Sequence, residues 1–171
     1  MKIPKILFLT TAHRHDDDRI FYHQAKALKE QGYEVKICSL SSEFQGKIDG
    51  IEIEAYAVLE RSISEKKKIL EKVCKECQPD TAICSEPLAV IAAESIKKHK
   101  NISIIYDITE WYPSMRMVEH YSFPLNVFHA IKFFLVQLYA GFISTHYIFG
   151  ENTKKFPLAY LFPFKKSIVL P

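Results

Sequence analysis

Residues 5–40 read KILFLTTAHRHDDDRIFYHQAKALKEQGYEVKICSL, and the order of apolar and polar positions in them decides the fold. Lys5–Thr10 is a short, almost continuous apolar run, the pattern of a strand covered on both faces. A polar loop follows. Arg19–Gln31 then carries Ile20, Phe21, Ala25 and Leu28 at helical spacing, and Gly32 supplies a C-terminal stop. Glu34–Leu40 is a second strand-like run. Strand, helix and strand in so short a stretch predict a right-handed βαβ unit.

The same alternation continues outward. Ile51–Val58 alternates Ile with Glu, as an edge or half-exposed strand does. Ser64–Cys77 has Ile69, Leu70 and Val73 on one helical face and Lys66–Lys68 in water, and Pro79 stops it. Thr81–Cys84 reads as a strand, and Pro87 suits the first turn of a helix reaching about Lys98. Ile102–Ile108, Thr145–Phe149 and Ser167–Leu170 read as strands, and Phe123–Phe142 and Glu151–Tyr160 as helices. The prediction is an α/β chain: a Rossmann-like three-layer α/β/α domain, residues 1–171, around a mainly parallel sheet. The length of 171 residues, 48% hydrophobic and 25% charged, is ordinary for one such core, and five Gly are too few for a flexible linker.

Composition excludes several functions. The net charge of +3 comes from Lys and Arg scattered among carboxylates, so no nucleic-acid partner is expected. Cys38 and Cys84 end apolar strands, and Cys74 and Cys77 form a CxxC without a second pair, so reduced structural thiols and a cytoplasmic setting are expected. Met1–Pro4 leads directly into a strand, without the pattern of a signal peptide. Leu125–Ile143 is very apolar, but Asn126, His129, Lys132 and Gln137 interrupt it. It reads as a buried or interfacial helix rather than a span. Phe123, Val127, Phe128, Ile131, Phe134, Leu135 and Leu138 form a broad face for core packing. Phe133, Val136 and Tyr139 make the helix apolar almost all round, so burial and membrane-surface contact both stay open.

Ligands of such sheets bind beyond the carboxyl ends of the strands. That directs attention to Thr11–Asp18, Ser85–Glu86, Thr109–Glu119 and Gly150–Thr153. The first loop lacks both GxGxxG and GxxxxGK[ST], which removes the dinucleotide fingerprint and the P-loop. Asp16–Asp18 suit helix capping, whereas His13, Arg14, His15 and Arg19 suit an anion at the helix N-terminus. His13 and His15 with the aspartates match no familiar metal-ligand spacing, and no metal is expected.

Asp17-Asp18-Arg19-Ile20-Phe21-Tyr22-His23-Gln24-Ala25-Lys26-Ala27-Leu28, followed by Gly32-Tyr33-Glu34-Val35, resembles the D-x-R-I-F…A-x-x-L…G-Y-E-V signature of a known family. That family is the GT-B retaining glycosyltransferases of family 4 (glycosyl transferases group 1), and the signature belongs to its N-terminal domain. Tyr106-Asp107-Ile108-Thr109-Glu110-Trp111-Tyr112-Pro113 is similar to its Y-D-x-H-E-x-Y-P, with Thr109 in place of His. Ser85-Glu86 stands where many members have His-Asp, and Ser167–Pro171 resembles the strand entering the interdomain linker. The resemblance covers nearly the whole chain.

The resemblance implies the acceptor-side half of a hexosyltransferase in polysaccharide biosynthesis. Such an enzyme moves a hexose from a nucleotide sugar to a surface-glycan or lipid-linked acceptor, with retention. It has no tightly bound cofactor and no metal. A donor-binding C-terminal domain would follow Pro171, so this chain alone is expected to be inactive. Its partners would be the glycan or lipid-linked acceptor, that second domain, and the inner face of a membrane. The cleft would be lined by His13, Arg14, His15, Asp17, Arg19, Glu86 and Glu110, with no catalytic residue assigned. Two of these have a structural alternative: Arg19 an ion pair with Asp16 or Asp17, and Glu110 a cap or a pair with Arg116. Outside the set, Trp111 and Tyr112 either stack on a sugar face or lipid or pack beside Pro113, and His23 either faces the cleft or is an ordinary partly buried histidine. The competing reading of the chain is a stand-alone Rossmann-like binding or regulatory module without catalysis.

Overall fold

The computed structural model describes residues 3–97, 100–110, 112 and 114–171, so Lys98, Trp111 and Pro113 lie outside the described residues. Eight strands form one sheet: β1 (Lys5–Thr10), β2 (Glu34–Ser39), β3 (Phe44–Ile48), β4 (Ile51–Ala55), β5 (Thr81–Cys84), β6 (Ser103–Ile108), β7 (His146–Phe149) and β8 (Ser167–Val169). Their order is β3-β4-β2-β1-β5-β6-β7-β8, and every neighbouring pair is parallel except β3 with β4. This is the predicted Rossmann-like α/β fold. β1 lies between β2 and β5 in register, Leu9 opposite both Cys38 and Cys84. The chain winds to one side after β1 and to the other after β5, so the switch point falls between β1 and β5.

The sheet separates two cores. Ile6, Phe8, Val35, Ile37, Ile51, Ile53 and Ile83 meet Ile20, Phe21 and Ala25 of helix α1, which runs through Asp18–Ala25 and Lys26–Glu30. Leu7, Leu9, Cys38, Cys84, Ile104 and Tyr106 face the other way. They meet α2 (Ile63–Cys77), α3 (Pro87–Lys97) and the end of α5 (Leu125–Ile143). Alternate residues of each strand feed opposite cores, which is why the strand sequences are apolar throughout. All four cysteines are free thiols. Cys38, Cys74 and Cys84 are buried, and burial pushes the Cys74 thiol up to about 12.

Several sequence expectations change. β4 is half-exposed, as its alternation of Ile and Glu predicts, but it is an inner strand rather than an edge, because Phe44–Ile48 folds back on it antiparallel. The hairpin turns on Asp49 and Gly50, both with positive φ (50° and 76°), and Asp-Gly is the strongest two-residue signal for that turn. The helix expected over Glu151–Tyr160 is broken into a 3-10 turn, Asn152–Lys155, and α6, Leu158–Leu161. Pro157 disfavours helical ψ in the residue before it, and Phe156 is extended (φ −77°, ψ 140°). A one-turn helix α4, Met115–Val118, precedes α5.

Core packing of α5 is overturned in the larger part. It buries four residues, Gln137, Ala140, Gly141 and Ile143, all in its last two turns. Gln137, which interrupts the apolar run, is buried beside Tyr106. Lys165 Nζ closes the helix end by donating to the carbonyls of Gly141, Phe142 and Ser144, each at 2.6 Å.

α2 begins with a capping box between Ser62 and Glu65 and ends on Gln78 in the left-handed region (φ 49°, ψ 54°). A side chain with Cβ is disfavoured there by about 1 kcal/mol, and Gln78 is at the surface. Gln78→Gly is expected to raise the unfolding free energy by about 0.5–1 kcal/mol. Urea unfolding followed by circular dichroism measures it.

Candidate functional site

Three strands of the switch region end side by side, and their loops build the site. β1 delivers Ala12 and His13, β5 delivers Ser85 and Glu86, and β6 delivers Thr109, Glu110 and Tyr112. Together they line a cleft of about 200 Å³. Pockets for drug-sized ligands begin at roughly 300 Å³, so this one holds a single small group or one end of a larger ligand. Gly150–Thr153, the fourth loop expected at this end of the sheet, does not contribute to the lining.

Glu86 is the post on which the first loop is hung. It is 5% exposed. Its Oε1 accepts from Thr10 Oγ1 at 3.0 Å and the Ala12 amide at 3.2 Å, and its Oε2 accepts from the Thr11 amide at 2.8 Å. Thr10 Oγ1 in turn accepts the His13 amide at 3.0 Å. Burial raises the Glu86 carboxyl above its ordinary range, against the opposing pull of the Thr11 amide and nearby His13.

His13 stands between two carboxylates. Its Nδ1 is 3.1 Å from Asp17 Oδ2, and its Nε2 is 3.8 Å from Glu86 Oε1. A carboxylate at Nδ1 fixes the ring orientation and leaves Nε2 toward the cleft. Asp17 also caps α1, its Oδ1 accepting the Ile20 amide at 3.1 Å. Glu110 is exposed at the rim. Tyr112 is half-buried, and burial together with the charges of Glu86 and Glu110 raises its phenol.

The remaining expected cleft residues are spent elsewhere. Arg14 is exposed and pairs with Asp16 at 2.9 Å. His15 is buried, with Nδ1 2.8 Å from Ser42 Oγ and its ring stacked on Phe44 at 5.0 Å between centroids. Hairpin residue Phe44 therefore decides where His15 goes. His23 is exposed, 3.4 Å from Asp18. Among the described residues no group of three or more His, Cys, Asp or Glu converges as a metal site would require.

Arg19 pairs with neither Asp16 nor Asp17. Its Nε and one terminal nitrogen straddle the Asp107 carboxylate at 3.2 and 2.9 Å, and its other terminal nitrogen donates to the Leu170 carbonyl. Gln24 Nε2 donates to the same carboxylate at 2.7 Å. Residues five apart diverge by roughly 140° at 3.6 residues per turn. The first part of α1, Asp18–Ala25, is instead π-helical, and this looser winding lets Arg19 and Gln24 reach one partner. Sequence reasoning missed Asp107 as this partner.

No family model matches the chain, and no curated protein matches it. Solved structures do. Sucrose-phosphate synthase from Thermosynechococcus elongatus aligns over 99% of this chain and 48% of its own, with a TM-score of 0.64 and 10% identity. UDP-GlcNAc 2-epimerase from Methanocaldococcus jannaschii aligns over 96% and 45%, with a TM-score of 0.56 and 13% identity. Phytolacca americana UGT2, complexed with UDP-2fluoro-glucose and pterostilbene, aligns over 100% and 54%, with a TM-score of 0.56 and 10% identity. At such identities the likeness shows the fold, a Rossmann-like domain of the kind found in these GT-B proteins. The chain spans about half the length of the structures it resembles.

Arg19→Ala leaves the carboxylate of Asp107, 1% exposed, without its cation and is expected to cost about 3–5 kcal/mol in urea unfolding. Arg19→Lys, which lacks the two-pronged geometry, should recover only part of that. Glu86→Gln turns an amide NH₂ toward backbone N–H donors and is expected to cost about 1–3 kcal/mol. The folded state holds the Glu86 proton more tightly than the unfolded chain. Wild-type stability from this group is therefore full below the ordinary value of 4.5 and falls as pH rises through the raised one. The deficit of Glu86→Gln should accordingly be largest in acid and shrink toward neutral pH.

Proposed function

We propose that this chain is the acceptor-holding domain of a hexosyltransferase. The observation that carries the reading is the lining of the cleft: a histidine, two glutamates, a serine, a threonine and a tyrosine, with no Lys or Arg among the described lining residues. Arg14 and Arg19, the cations nearest in sequence, are held by Asp16 and Asp107. A nucleoside diphosphate needs cations or a run of free amides at a helix N-terminus. Here the Thr11 and Ala12 amides already serve Glu86. A neutral polyol needs what this cleft offers, namely carboxylate and imidazole acceptors for its hydroxyls and a half-buried aromatic ring for its apolar face.

In the reading, the sugar acceptor enters between the loops after β1, β5 and β6. Glu110 and His13 Nε2 accept its hydroxyls, Tyr112 packs along it, and Glu86 and Asp17 keep His13 in place. The hexose comes from a nucleotide sugar whose nucleotide is held by a second domain. The bond from its anomeric carbon to the phosphate oxygen breaks, a bond to the acceptor oxygen forms with retention and without a metal, and the acceptor's hydroxyl proton leaves with the departing nucleoside diphosphate. The acceptor is a surface glycan or a lipid-linked sugar, and the setting is the cytoplasmic face of a membrane. An apolar groove on the α1 side of the sheet supports the second domain. It is lined by Ile105, Ile148 and Ile168, of which Ile168 is 58% exposed. Structures that cover the same fold are about twice as long as this chain.

Titration of the isotope-labelled chain with a hexose-terminated oligosaccharide and, separately, with UDP-glucose tests the reading by NMR. The saccharide is expected to shift amides at His13, Glu86, Glu110 and Tyr112. His13→Ala and Glu110→Ala should each weaken that binding by about tenfold, the loss of one or two hydrogen bonds to a charged or aromatic nitrogen acceptor. UDP-glucose should leave these amides unmoved. Binding of UDP-glucose in this cleft, with the saccharide inert, would overturn the assignment.

A further inference from the structure

Asp107 and Glu86 are both buried carboxylates at the carboxyl end of the sheet, and they differ in their cations. Asp107, 1% exposed, is held by Arg19. Glu86, 5% exposed, accepts from the Thr10 hydroxyl and the Thr11 and Ala12 amides, but it forms no ion pair with Lys or Arg among the described residues. The basic group it meets is His13, whose Nε2 is 3.8 Å from Oε1. Unlike Asp107, Glu86 lines an open cleft. A buried carboxylate is costly without a cation, and a ligand can supply one. Burial raises the Glu86 carboxyl above its ordinary range, and a cation in the cleft opposes that shift.

The hydrogen-bonding groups point the same way. Backbone donors around the cleft are already used: the Thr11 and Ala12 amides by Glu86, the His13 amide by Thr10 Oγ1, and the Ser85 amide by the Leu9 carbonyl. Acceptors are left over. The Glu86 carboxylate takes three of the roughly four hydrogen bonds open to it. With the imidazole proton on Nδ1 against Asp17, His13 presents a lone pair at Nε2. Glu110 is exposed at the rim. Ser85, Thr109 and Tyr112 add hydroxyls, which accept as well as donate. A sugar hydroxyl brings one donor to this surface. An ammonium brings three and no acceptor, and it is also drawn to an aromatic ring such as that of Tyr112.

We infer that the ligand of this cleft carries an ammonium group, which makes the acceptor an amino sugar with a free amine. Glu86 Oε1 and His13 Nε2 are close enough for one nitrogen to donate to both. Glu110 supplies a second negative charge at the rim, and the hydroxyl side chains are left for the hydroxyls of the sugar. The cation follows from the cleft alone; that a sugar bears it rests on the reading proposed above.

NMR titration of the isotope-labelled chain near neutral pH, where a sugar amine is mostly charged, tests the inference. The ligands are the β-1,4-linked disaccharide of glucosamine, its N-acetylated form, and cellobiose, which differ in the substituent at one ring carbon. Amides of His13, Glu86 and Glu110 should respond to the free-amine form at about tenfold lower concentration than to the other two, and the difference should shrink as salt is raised. The carboxyl carbon of Glu86 should shift toward its ionised position with the amine form. Glu110→Gln, at the exposed rim, removes one of the two charges and should reduce the preference to about threefold, with a dispersed amide spectrum checking the fold. Equal affinity for the amine and hydroxyl forms overturns the inference and leaves the sugar reading standing. Binding of n-butylamine as tight as that of the amino disaccharide keeps the ammonium site but overturns the sugar. No response to any of these ligands overturns both.

Discussion

The carboxylate of Asp107 sits at the end of β6 with almost no exposure, and a group of that kind has to be matched where it stands. Arg19 and Gln24 match it from α1, across the switch point of the sheet. Much of the local architecture follows from that requirement. The first part of α1 winds as a π-helix, so that residues five apart share a partner. Arg19 spends its third donor group on Leu170, which pins the chain beyond β8 against the same helix. One buried charge thus ties together α1, β6 and the segment after β8, and it withdraws from the cleft the arginine best placed to hold a phosphate.

The cleft repeats the theme with the opposite result for two glutamates. Glu86 is buried, and both its oxygens serve the amides and hydroxyl of the β1 loop, which makes it a positioning residue for His13. Glu110 is exposed at the rim. One chemical type divides into a fixed post and an accessible acceptor because one carboxylate has three donors converging on it and the other faces water. The division leaves a concave surface rich in hydroxyl-binding groups and poor in cations, the complement of a sugar rather than of a nucleotide.

The sequence by itself determined the layered α/β fold, because apolar periodicity reports which faces of each strand and helix must leave water, and strands alternating with helices admit few topologies. It also placed the candidate loops, since ligand positions in such sheets follow strand polarity. His13, Glu86 and Glu110 do meet at one cleft. Even the missed hairpin was written in Asp49-Gly50, where turn chemistry is local.

Only the tertiary structure decided how the polar residues are used. Arg19 meets Asp107 across 88 positions and Glu86 meets Thr11 across 75. His15 turns away because the hairpin presents Phe44. The apolar face of α5 points outward because few residues of the helix reach the sheet. Periodicity carries no information about partners so far apart in sequence. Which donor finds which carboxylate, and which apolar face stays uncovered, is fixed only when the sheet order brings the strand ends together.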